Sequence, residues 1–200
     1  MKTVSLLACL LLPALTACVT PPERTADPLA GISVINRTRG AGAYKDLSVV
    51  MILSQDAKGT IAYLEEFNKH LFRQNYWGSA KVDTSKLFMS LTDLLSYHFK
   101  SVEQADNLPA AAALKPDLVA VLDAYAKIAP PPGKRTTTFE AKIVFLTPDG
   151  EKVETIAAAT EATIPRDRTG SGIETAAALA KDRLDAALTA SPKLRELSHG

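Results

Sequence analysis

The residues that could perform chemistry are few, and their spacing fits no known catalytic pattern. The sequence contains two cysteines and the three histidines His70, His98 and His199. No two histidines stand at positions i and i+4, as the zinc-protease motif requires. No serine lies in a G-x-S-x-G or S-x-x-K pattern that would mark it as a nucleophile. The sequence therefore predicts no catalytic residue and no metal site.

Acidic side chains are plentiful, but the two that share a predicted strand are too far apart for acid–base catalysis. Asp117 and Asp123 stand six positions apart, which corresponds to about 20 Å along one face of a strand. Paired carboxylates in glycan hydrolysis lie about 5–10 Å apart. The 22 acidic and 23 basic side chains leave a net charge of +1. This balance argues against nucleic acid as a partner.

Two glycines at the start of the last long predicted helix indicate a candidate anion site. Gly170 and Gly172 open that region, and Arg166 and Arg168 just precede it. The N-terminus of a helix attracts anions, and two arginines would strengthen the attraction. The alternative is an ordinary solvated loop that caps the helix.

A second candidate surface combines aromatic and basic residues, and we interpret it as partner-binding. Tyr76 and Trp77 end a predicted helix, and Lys134 and Arg135 lie in a proline-rich loop between two predicted strands. Exposed aromatic residues are frequent anchors of protein interfaces. The alternatives are that the aromatic residues close the helix end onto the core and that the two cations are only solvated.

The first residues have the features of a secretory signal peptide. Lys2 precedes an apolar segment, Val4–Leu15, whose 12 residues are too few to cross a bilayer, which takes about 18. The following Leu-Thr-Ala-Cys, ending at Cys18, resembles the lipobox of bacterial lipoproteins. That resemblance implies cleavage after residue 17, a diacylglycerol on the Cys18 sulfur, an acyl chain on its amine, and no other cofactor. The alternative is a plain signal peptide cleaved at the same place.

The residue after Cys18 is Val19 and not aspartate, and by resemblance this implies the outer membrane, with the protein facing the periplasm. Residues 18–31 contain Pro21, Pro22 and Pro28, which favour an extended tether over a helix. Cys9 would leave with the signal peptide, so the lipid-modified chain would contain no free thiol.

The hydrophobic pattern predicts one α+β domain over residues 32–191, followed by a frayed tail over 192–200. The fold class is a two-layer sandwich, in which a mainly antiparallel sheet carries helices on one face. The Asp-Gly pair at 149–150 predicts a hairpin turn. We expect strands at 32–35, 47–53, 117–128, 136–146 and 152–164, and helices at 60–77, 83–100, 107–115 and 173–189.

Three segments of the domain resemble small periplasmic lipoproteins: KLFMSLTDLLSYHF, DLVAVLDAYAKI and FEAKIVFLTPDGEKVETI. The two groups concerned are the auxiliary lipoproteins of ABC-type transport systems and the envelope-assembly lipoproteins. The resemblance implies a non-enzymatic partner of an envelope machine.

The leading hypothesis is thus a membrane-anchored, non-catalytic accessory or scaffold that binds an envelope protein in transport, assembly or wall maintenance. One alternative is a lipoprotein that binds a small lipid or anion. Another is an envelope hydrolase whose carboxylates come from separate elements and meet in space.

Overall fold

The computed structural model describes residues 42–73, 81–128, 136–163 and 169–199. The segments where we expect a signal peptide (1–17), a tether (18–31) and a first strand (32–35) lie outside these ranges. The described elements, in chain order, are β1 (Tyr44–Leu53), α1 (Gln55–Arg73), α2 (Thr84–His98), β2 (Phe99–Gln104), α3 (Leu108–Ala113), β3 (Leu118–Ile128), β4 (Thr136–Leu146), β5 (Lys152–Thr163), α4 (Thr169–Ala190) and α5 (Pro192–Ser198).

The five strands form one mixed sheet in the order β2-β1-β3-β4-β5. β1 pairs in parallel with β2 and with β3, whereas the β3–β4 and β4–β5 pairs are antiparallel. The predicted α+β class is confirmed. The antiparallel half is the predicted three-strand meander, and the parallel half arises because the chain crosses over through helices before β2 and before β3.

Both faces of the central strand β3 are buried for most of its length. Leu118, Ala120 and Leu122 belong to the larger hydrophobic core, to which α1, α2, α4 and α5 contribute. Val119 and Val121 belong to a smaller core on the opposite face, which α3 covers. The prediction that all helices lie on one face is therefore wrong for α3, whose short alanine-rich turn packs on β1 and β3.

α1 begins five residues before its predicted start because Ser54 caps it. The Ser54 hydroxyl accepts a hydrogen bond from the Ala57 N–H at 2.9 Å, as an N-cap side chain does. Thr60, the first residue of the predicted helix, is fully buried inside α1 and donates to the Ala124 carbonyl at 2.9 Å. Asp83 caps α2 by accepting from the Lys86 N–H at 2.9 Å.

α2 ends at His98 and not at Lys100, because the chain turns there into β2 and pairs with β1. The predicted tight turn at 147–150 is confirmed. Gly150 has φ of +91°, a backbone conformation that only glycine adopts without strain. A Cβ there would also lie 3.0 Å from the Leu108 side chain, so the turn and α3 are packed closely together.

The expected frayed tail is wrong, because residues 192–198 form the helix α5. Ser191 caps it by accepting from the Leu194 N–H at 3.2 Å, and its hydroxyl donates to Glu154. Leu194 is fully buried. The Tyr44 hydroxyl donates to the Leu188 carbonyl; burial is the main cause that raises the pKa of Tyr44, and the positive charge of Arg195 opposes it.

Candidate binding surface

One face of the antiparallel half of the sheet carries side chains that belong to neither hydrophobic core. Strand alternation and register place three cross-strand rows on it: Asp123–Lys142–Ala157, Tyr125–Glu140–Ala159 and Lys127–Thr138–Glu161. We call this surface the open face. Its members from β5 are exposed, those from β4 are half-buried, and Lys127 at the end of β3 is exposed. The opposite face of the same strands forms the larger core, so the surface rests on rigid elements.

An ion pair between a buried carboxylate and a half-exposed lysine lies where the open face meets the start of α1. The Asp123 side chain is only 7% exposed, and its Oδ2 atom lies 2.8 Å from Lys142 Nζ. The Ser54 hydroxyl donates to Asp123 Oδ1 at 2.7 Å while it caps α1. One carboxylate therefore fixes the orientation of the lysine on the open face and the first turn of α1.

The outer strand β5 combines small side chains with two approaching cations. Ala157 and Ala159 are exposed, so the main chain is accessible from the open face. Arg183 from α4 donates to the Ala159 carbonyl at 2.6 Å, and Lys193 from α5 donates to the Val153 carbonyl at 3.3 Å. Charged side chains at edge strands hinder uncontrolled pairing with other chains.

A histidine–carboxylate pair joins α2 to α4. His98 Nε2 lies 2.6 Å from Asp185 Oδ1, and the histidine side chain is 2% exposed. Its Nδ1 is buried without a hydrogen-bond partner. A Cβ on Gly42 would lie 2.9 Å from that atom, and the Gly42 N–H donates to the Tyr97 carbonyl at 2.7 Å. The ion pair therefore fixes the end of α2 to α4, and the Gly42–Tyr97 bond holds the segment before β1 against α2.

Asp117 directly precedes β3, and its partners differ from those of Asp123. Asp117 Oδ2 accepts from the Ser48 N–H at 2.7 Å and from the Ser48 hydroxyl at 2.6 Å. Burial alone would raise the pKa of Asp117, but these bonds and the positive charge of Lys100 outweigh it and lower that pKa. Because the folded value lies below the unfolded one, this carboxylate stabilises the fold above its unfolded pKa. The contribution is lost as the pH falls through the folded pKa.

Most site residues proposed from the sequence lie outside the described ranges: Cys18, Tyr76, Trp77, Lys134, Arg135, Arg166 and Arg168. Gly170 and Gly172 are described, and they lie within the first turn of α4, which begins at Thr169. Gly172 is buried. The helix therefore starts before the expected Ile173, and the anion site expected with Arg166 and Arg168 stays a prediction.

The open face was missed by the sequence-based search, although its signal was present. In FEAKIVFL the charged Glu140 and Lys142 alternate with apolar residues, which indicates one buried and one solvated face. The alternation does not indicate the register between β3 and β4, which places Lys142 opposite Asp123.

Comparison with known proteins assigns this chain to no family. No protein family model matches the chain, and no curated protein matches it. Within the described ranges, no group of three or more His, Cys, Asp or Glu side chains is arranged to hold a metal ion. No helix of the described part is long and apolar enough to cross a membrane.

Proposed function

We propose that this protein is a lipid-anchored, periplasm-facing lipoprotein of the outer membrane. It acts as a non-catalytic accessory or scaffold that binds an envelope protein. The lipobox-like segment that ends at Cys18 supports the anchor, and two or more acyl chains would make the anchoring stable. The proline-rich residues 18–31 would then separate the domain from the lipid headgroups.

The single structural observation that supports binding is the open face. Its half-buried Glu140 and Lys142 and its exposed alanines lie on three strands that the larger core holds in place. Charged and small side chains on a rigid surface allow electrostatic complementarity with one partner and exclude others. A partner that docks there needs no change in the fold of this domain.

The His98–Asp185 pair supports a non-catalytic role. A histidine that serves as a general base must reach the proton it abstracts, directly or through one water. Here Nε2 is engaged by the carboxylate, and Nδ1 is buried beneath Gly42. In this arrangement the imidazole orders the junction of α2 with α4 and offers no nitrogen to a substrate.

The anchor is tested by Cys18→Ala. We expect the variant to incorporate no labelled palmitate and to leave the membrane fraction, because the only thiol that could carry the lipid after signal cleavage is gone. Cys9→Ala is the matched control, since Cys9 lies in the signal peptide, and it should be labelled and sedimented like the wild type. Palmitate incorporation by Cys18→Ala would contradict the proposal.

A further inference from the structure

We propose that the partner binds by adding an extended, acidic strand to the outer edge of β5, with Arg183 and Lys193 as the residues that recognise its carboxylates. This inference rests on the proposed function and specifies how the partner is held. β5 is the last strand of the sheet order, and within the described residues no strand pairs with its outer edge. An extended segment can extend such a sheet by main-chain hydrogen bonds.

The direction of the main-chain groups follows from one observed contact and the strand register. In an antiparallel strand the N–H and C=O of one residue point to the same side, and the side alternates from residue to residue. The Ala159 carbonyl accepts a bond from Arg183, which is not in the sheet. The register of β5 with β4 is unbroken from Glu154 to Ala159, so the N–H and C=O of Thr155 and Ala157 also face outward. The Val153 carbonyl, at the register shift, accepts a bond from Lys193.

The side chains beside these groups leave room for a second main chain. Thr155 and Ala157 are exposed, and neither carries a charge. The two cations lie at either end of this segment, six residues or about 20 Å apart. The edge is thus accessible in its middle, and one cation contacts the main chain at each end.

The two cations favour an acidic partner. In the free protein Arg183 and Lys193 donate to neutral carbonyl oxygens, and such bonds are weaker than those to a carboxylate. An arriving strand with carboxylates would draw both side chains away and leave the Val153 and Ala159 carbonyls to accept from its N–H groups. A strand without acidic residues would find the same carbonyls occupied, so the cations select the partner.

The test is photo-cross-linking of the full-length protein in cells, with the probe at Thr155 and a proline substitution at Ala157. Ala157→Pro removes one outward N–H but no bond to β4, and proline is tolerated at such edge positions. We expect it to reduce the yield of the cross-linked partner at least about tenfold, the effect of roughly 1.4 kcal/mol. Ala157→Val keeps the N–H and should cross-link like the wild type.

Variants of Arg183 test whether the cations recognise the partner. They also test the inference if Ala157→Pro does not fold. Arg183 is exposed, so Arg183→Glu should fold and should lose cross-linking, whereas Arg183→Lys should retain it. The inference is overturned if Ala157→Pro folds and cross-links fully, if Arg183→Glu has no effect, or if the captured species is a second copy or another part of this chain. If the wild type captures no protein from this probe or from any open-face probe, the proposed function fails as well.

Discussion

Asp123→Ala is expected to lower the free energy of unfolding by about 2 kcal/mol, because it leaves the buried Ser54 hydroxyl without its acceptor, whereas the half-exposed Lys142 can turn to water. The substitution removes the counter-ion of Lys142 and the acceptor of the Ser54 hydroxyl. Ser54 caps α1, so its orientation would also be less fixed. Urea denaturation followed by circular dichroism measures the change.

One further variant separates the effect of charge from that of hydrogen bonding at Asp123, and a second variant is a control. Asp123→Asn keeps an oxygen that accepts from Ser54 but loses the charge, so we expect about half of the destabilisation. Lys127→Met is the matched control, because Lys127 is an exposed cation on the same open face, and it should change stability by less than about 0.5 kcal/mol. An Asp123→Ala protein as stable as the wild type would show that the ion pair does not organise this region.

Ala180→Leu is the second substitution for which we expect a large effect, about 2–3 kcal/mol of destabilisation. Ala180 is fully buried on α4, which packs on β4 and β5. The facing residues of β5 include the buried Ala158, so the interface is built from small side chains. A leucine would force α4 away from the sheet and strain the bond from the Thr160 hydroxyl to the Ala176 carbonyl, 2.6 Å long.

Leu179, the residue before Ala180, is exposed and serves as the control. Its side chain is 45% exposed, so Leu179→Ala should cost well under about 1 kcal/mol in the same urea titration. If Ala180→Leu and Leu179→Ala lowered the free energy of unfolding equally, α4 could not be closely packed against β5 at Ala180.

The elements that the sequence predicted well are those whose signals are local. Strands β3 and β4 show clear alternation, and the Asp-Gly turn supplies the positive φ that the hairpin needs. The helices expected at 83–100 and 107–115 begin at Asp83 and Asn107, whose short polar side chains act as N-caps. In each case the interaction that decides the structure lies within a few residues of the signal.

The elements that were missed depend on distant contacts or on an ambiguous residue. β2 follows α2 without a break, and only its pairing with β1 makes residues 99–104 a strand. The frayed tail was expected to begin at Pro192, because proline often ends a helix. Proline is also favoured in the first turn of a helix after a cap such as Ser191, which is its position in α5. The open face was missed because it depends on distant contacts: its residues come together only through the register of β3, β4 and β5.

The most direct test of the central claim is photo-cross-linking from intact membranes, with probes at Lys127 and Glu161 on the open face and a control probe at Met89. Met89 is exposed on α2, a helix that packs into the larger core on the opposite face of the sheet. The proposed scaffold predicts that one envelope protein recurs at Lys127 and Glu161 and is absent at Met89. Equal capture at all three positions, or only lipid or glycan adducts at the open face, would contradict it.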